Sequence, residues 1–209
     1  QVSFTRGTSI GGTGAVTTSG SGTIAITGIA KGSSDGLGVS AGGTISSGSG
    51  AISLAGIKDT GYGINLSGSI TSSTGNLILN STGAISGPGV VTVGGTTTIT
   101  AGASNVTLTN TVNDFAGAVS VISAGNLSLI DSDTLSLSAV NASGTIDIAT
   151  LAGNLTLTDA VNSDDTTSGA VILNAGKSTA AGTATGGNLI VSGGSVGTGA
   201  GGQIGRAHV

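Results

Sequence analysis

One short cassette recurs about ten times along the chain: a glycine, a small residue, then apolar, variable, apolar. It reads Gly22-Thr-Ile-Ala-Ile26, Gly50-Ala-Ile-Ser-Leu54, Gly75-Asn-Leu-Ile-Leu79, Gly117-Ala-Val-Ser-Val121 and Gly125-Asn-Leu-Ser-Leu129. It returns as Gly144-Thr-Ile-Asp-Ile148, Gly153-Asn-Leu-Thr-Leu157, Gly169-Ala-Val-Ile-Leu173 and Gly187-Asn-Leu-Ile-Val191. Alternation places successive side chains on opposite faces, so each copy predicts a half-buried strand. Recurrence at roughly 20–30 residues predicts stacked coils rather than a globule closing on itself.

Composition narrows the choice further. The 209 residues include 41 Gly, two Phe, one Tyr and neither Trp nor Met. A thick globular core needs large side chains. A thin column of stacked Val, Ile, Leu and Ala does not. The expected fold is therefore all-β, a right-handed parallel β-helix (β-solenoid) of about nine or ten coils. At roughly 4.8 Å per coil that makes a rod about 45 Å long. Ile24, Ile26, Ile52, Leu54, Leu77, Leu79, Leu127, Leu129, Ile146, Ile148, Leu155, Leu157, Val171 and Leu173 are the expected inward column. Residues 1–202 read as a single array. Its first 21 residues form a weaker coil with strands at Val2-Ser-Phe4 and Ala15-Val-Thr17. The tail 203–209 falls off the pattern, and His208 within it is given no role.

The second half shows a longer unit: Thr111-Val-Asn113, Ala139-Val-Asn141 and Ala160-Val-Asn162 each precede a turn and another alternating strand. This reads as strand, Val-Asn corner, turn, strand. Turns such as 31–36, 46–50 and 163–169 vary in length, as loops projecting from a fixed solenoid do. Asn76, Asn105, Asn126, Asn154 and Asn188 each precede an inward aliphatic and predict hydrogen-bond ladders along a corner, helped by the tolerance of Asn for left-handed backbone. Asn65, Asn80, Asn105, Asn126, Asn141 and Asn154 also stand in N-x-Ser/Thr, a match that chance supplies in so hydroxyl-rich a chain.

Charge excludes several functions. The nine acidic residues are all Asp, and the five basic ones, Arg6, Lys31, Lys58, Lys177 and Arg206, are scattered. No basic stripe exists to neutralise a phosphate backbone, so nucleic acid is not an expected partner. Absence of Cys removes disulfides and thiolate metal sites. No apolar run reaches membrane-spanning length. The sequence does not open with Met, so it is read as a fragment or processed segment with exposed coil edges, expected to aggregate or fray without flanking repeats.

Catalysis finds little to use. Outside the tail there is no His or Cys to serve a nucleophile. Asp131 with Asp133, and Asp164 with Asp165, are the paired carboxylates. The first pair has a spacing that a carbohydrate-active β-helix might use, but both sit in Ser/Asp/Thr stretches that read as solvated turns. The nonapeptide of calcium-binding β-rolls and the Lys-Ser/Thr of a phosphate loop are missing. No catalytic, cofactor-binding or metal residue is therefore assigned, and no enzyme is expected. Threonine ranks at Thr98/Thr100, Thr107/Thr109 and Thr156/Thr158 suggest ice binding, but the outward column is broken by Ile78, Asp147, Ile172 and Ile190.

The stretches Thr111–Val121, Ala124-Gly-Asn-Leu-Ser-Leu129 and Ala152–Val161 resemble the central repeats of filamentous-haemagglutinin-like large exoproteins, the adhesins of two-partner secretion. The resemblance covers most of residues 22–202. It implies a right-handed β-helix, a secreted or bacterial cell-surface location, an adhesion or biofilm role, and an outer-membrane secretion partner. It carries no site residue. The resulting expectation is a non-enzymatic stalk segment that packs on flanking repeats and holds a binding region away from the cell, with host-surface or biofilm glycans as partners; recognition through variable loops at 162–168 and 177–187 is the binding-module alternative. A carbohydrate-binding or carbohydrate-active β-helix is the alternative.

Overall fold

The computed structural model describes residues 2–4, 8–30, 37–39, 43–59, 61–178 and 187–199. The turn at 31–36 and the tail 203–209 with His208 lie outside them, as does most of the loop at 177–187. The described chain is all strand and turn, wound so that every strand pairs in parallel with its counterpart one turn away.

Three walls result. The first stacks Val2–Phe4, Ile24–Ala30, Ile52–Lys58, Leu77–Ser81, Thr97–Thr100, Val119–Ser123, Leu135–Ala142, Leu155–Leu157 and Leu189–Val191, with Val161–Ser163 and Val196–Gly197 alongside its far end. The second stacks Thr8–Ile10, Leu37–Val39, Tyr62–Leu66, Ala84–Ser86, Val106–Leu108, Leu127–Asp131, Ile146–Thr150 and Val171–Asn174. The third holds only Ala15–Thr17, Thr44–Ser47, Ser69–Ser72, Val91–Val93 and Asp114–Phe115. The two weak strands expected near the start are both present.

The expected nine or ten equivalent coils do not form; among the described residues only about six turns are closed on three sides. Five have a strand on all three sides, and the next closes its third side with the bend at 131–134, whose Ser132 N–H donates to the Asn113 carbonyl. Farther along, the third side shrinks to a corner, where Leu151 N–H donates to the Asp131 carbonyl and Lys177 N–H to the Thr150 carbonyl. The overcount has a plain cause. Cassettes at Gly22, Gly50, Gly75, Gly117, Gly153 and Gly187 lead into the first wall, whereas those at Gly125, Gly144 and Gly169 lead into the second. One sequence unit builds two different walls, because both need the same alternation.

Register makes the core. Ile24, Ile52, Leu77, Thr97, Val119 and Leu137 stand over one another, as do Ile26, Leu54, Leu79, Ile99, Val121 and Val140. All fourteen residues expected to point inward belong to the single buried column. Thr97 is the misfit in it: fully buried, with a hydroxyl that has no hydrogen-bond partner. An unsatisfied buried hydroxyl costs about 1–3 kcal/mol, and Val has nearly the same shape. Thr97→Val is expected to raise unfolding stability by about 1 kcal/mol, read as a higher urea midpoint at unchanged slope.

The corners explain the glycines. Gly50, Gly75, Gly95 and Gly117 stack where the third side turns into the first wall. A Cβ on each would lie 1.9, 2.0, 2.5 and 2.2 Å from the carbonyl oxygen of the glycine one turn below. None of these four has positive φ. They are glycine because the backbones approach too closely for a side chain. Ser47 and Ser72 seal the same corner by donating to the Gly50 and Gly75 carbonyls at 2.7 and 2.9 Å.

Asparagine ladders occur, in a different form from the one expected. The Oδ1 atoms of Asn76, Asn105, Asn126 and Asn154 accept the backbone N–H of Thr96, Asn126, Thr145 and Asn188, each at 2.9–3.0 Å. The side chain thus replaces a carbonyl and carries the ladder one rung around the bend. No described residue other than glycine has positive φ, so left-handed backbone plays no part at these asparagines.

Candidate functional site

Chemistry concentrates where the third wall stops. The strand Leu127–Asp131 alternates Leu127, Leu129 and Asp131 inward, so its last inward position is a carboxylate. Asp131 is fully buried, which corrects the reading of a solvated turn. Its Oδ2 accepts the Phe115 N–H at 2.8 Å, and its Oδ1 accepts the Asp133 N–H at 2.9 Å. Phe115 ends the last strand of the third wall, and the following turn has no strand to receive that N–H. The carboxylate stands in for the missing neighbour.

Asn113 does the same work from below. It is fully buried; its Oδ1 accepts the Val91 N–H at 3.0 Å, and its Nδ2 donates to the Leu108 carbonyl at 3.1 Å. Val112 is 60% exposed. In the other two Val-Asn pairs the order is reversed: Val140 and Val161 are buried and in register, and Asn141 and Asn162 face out. The three Val-Asn corners expected to be equivalent are therefore two of one kind and one of another. At this end of the third wall, Asn113 and Asp131 are buried polar groups that the sequence reading missed.

Asp114, Asp131 and Asp133 converge, each bringing a carboxylate oxygen within 4.8 Å of the others. Burial, with a smaller contribution from Asp133, pushes the Asp131 carboxyl up to about 6 against the pull of the two backbone N–H donors. Asp133 is exposed and accepts the Thr134 N–H. The strand directly below Asp131, Asp114–Phe115, brings Asp114 to it, and the Thr150–Asn154 segment above contains no ionisable residue. Both oxygens of the central group are engaged with backbone donors, which suits a cap better than an acid or base presented to a substrate.

The second pair behaves as the turn it was expected to be. Asp165 accepts the hydroxyl and backbone N–H of Thr167, which together hold its carboxyl below the usual range, and its own N–H donates to Ser163 Oγ at 3.0 Å. Asp164 lies instead beside an open groove of about 340 Å³ where the first wall turns into the second, with Ile122, Asn141, Ser143 and Asn162 along it.

A family described as repeats of unknown function (DUF5649) matches residues 57–122. No curated protein and no solved structure matches the chain. The matched stretch contains Gly75, Gly95, Gly117 and Asn113, and ends before Asp131. Among the described residues, no helix is long and apolar enough to cross a membrane.

The ranks that suggested ice binding also sort differently by wall. Thr98 stands in a first-wall column reading Ala25, Ser53, Ile78, Thr98 and Ser120, whereas Thr107 belongs to the second wall. Thr98 is the single threonine among those five positions.

Proposed function

We propose that the chain is a non-enzymatic stalk segment of a secreted or cell-surface bacterial adhesin, a right-handed solenoid that packs on flanking repeats and holds a binding region away from the cell. The observation that supports this is where the polar side chains go. Asn76, Asn105, Asn126, Asn154, Ser47, Ser72, Asn113 and Asp131 all hydrogen-bond backbone groups at corners or at the end of a wall. A chain that uses its polar groups this way is built for length and regularity. The filamentous-haemagglutinin-like resemblance supplies the surface location and the secretion partner.

The groove beside Asp164 favours a second reading, recognition of host-surface or biofilm glycans, because Asn141, Asn162 and Asp164 offer amide and carboxylate groups along a shallow concavity. One experiment separates the two. The purified chain is screened on a glycan array and incubated with a panel of polysaccharides while reducing ends are counted. The stalk reading expects neither saturable binding nor product. Binding lost in Asp164→Ala would establish the glycan reading, and cleavage lost in Asp131→Asn with Asp133→Asn would overturn the non-enzymatic one.

A further inference from the structure

We propose that Asp114, Asp131 and Asp133 form a carboxyl latch at the seam between the three-sided and two-sided parts of the rod, closed in mild acid and slackened as the pH rises to neutrality. The seam is a structural discontinuity: the third wall ends at Phe115, and the next turn contributes a bend instead of a strand. Asp131 is the side chain that bridges the two parts, holding the Phe115 N–H from below and the Asp133 N–H of its own bend. The Leu151 N–H of the turn above is held by the Asp131 backbone carbonyl, so movement of this residue is felt on both sides of the seam.

Three carboxyl groups crowd together here, and the central one is fully buried, which disfavours its charged form. The groups facing it are Asp114 from the strand below and Asp133 from its own bend; above it, Thr150–Asn154 adds no ionisable residue and Asp147 of the strand Ile146–Thr150 is exposed on the outer face. Protonated, Asp131 satisfies its own burial and shares a hydrogen bond with the Asp133 carboxyl. Ionised, it is a buried charge beside a second carboxylate, with only two backbone dipoles to hold it. The direction of the pH effect follows. A carboxyl that titrates near 6 when folded and at 3.8 in the unfolded chain binds its proton more tightly in the folded state. Its stabilising effect is complete below the unfolded value and is lost as the pH rises through 6. Asp165, held below its usual range, acts in the opposite sense, but its contribution is lost only as the pH falls below the ordinary carboxylate range.

The test uses the whole chain. The side-chain carboxyl carbons are titrated by NMR, and urea unfolding is measured at about pH 4.5 and pH 7.5. The Asp131 resonance is expected to titrate near 6, and the folding equilibrium constant to be about 30-fold smaller at the higher pH. Asp131→Asn is expected to remove that dependence. Asp133→Asn alters an exposed residue, and it is expected to keep the fold and lower the Asp131 midpoint by removing the neighbouring charge. A midpoint within the ordinary carboxylate range, stability that is flat or rises from acid to neutral, or a midpoint unmoved by Asp133→Asn would each overturn the latch.

Discussion

Gly75→Ala is expected to destabilise the solenoid by about 3 kcal/mol, more than a single methyl group costs almost anywhere else on its surface. The added Cβ would stand 2.0 Å from the Gly50 carbonyl oxygen, 2.6 Å from its carbon and 2.8 Å from Ser72 Oγ. Ser72 Oγ could rotate away, but the two nearer atoms are backbone held next to the first-wall ladder. The turn must move apart from its neighbour, and the strain passes to Gly95, which stacks on Gly75 in the same way. Gly102→Asn is the matched control. Gly102 has φ +58° with open space around the position of a Cβ, and Asn accepts that backbone at a cost of about 1 kcal/mol or less. Urea midpoints of the two variants distinguish close approach from backbone conformation. Equal losses would mean that the corner tolerates a side chain and that some other constraint keeps it glycine.

That contrast also marks the limit of what the sequence discloses. Alternation in the cassettes was enough to name the inward residues, because a side-chain period of two leaves no freedom once one face is buried. The glycine ahead of each cassette was legible as a fixed part of the repeat, but its cause was not, since positive φ and close approach both select glycine. The assignment of cassettes to walls was hidden for a related reason: Gly125-Asn-Leu-Ser-Leu129 and Gly153-Asn-Leu-Thr-Leu157 are nearly the same string, yet one builds the second wall and the other the first. Only the register of the whole stack decides that. The buried carboxylate was within reach. Extending the alternation Leu127, Leu129 by two places puts Asp131 inward, and the acidic, hydroxyl-rich surroundings concealed it by suggesting a solvated turn. Asn113 gave a misleading signal, because its Val-Asn dipeptide matches two others whose phase is opposite.

Asn113→Ala is the second large effect expected, a loss of about 3 kcal/mol. The side chain is fully buried and makes contacts of both hydrogen-bonding kinds, accepting from Val91 and donating to Leu108. Alanine would leave that N–H and that carbonyl without their partner in a fully buried place beneath the end of the third wall, and would open a void beside Phe115's strand. The same substitution in the same dipeptide elsewhere provides the comparison: Asn141→Ala and Asn162→Ala remove exposed side chains and are expected to change stability by less than about 0.5 kcal/mol. Asn113→Asp sharpens the test, because aspartate keeps the acceptor for the Val91 N–H while losing the donor to Leu108. It also adds a fourth carboxyl to a corner that already gathers Asp114, Asp131 and Asp133. Its defect is expected to be worst at neutral pH and to shrink in acid, where the new group is protonated and regains an O–H to donate. A defect independent of pH would place the Asn113 side chain outside the reach of the three carboxyl groups, and the end of the third wall would then be held by shape alone.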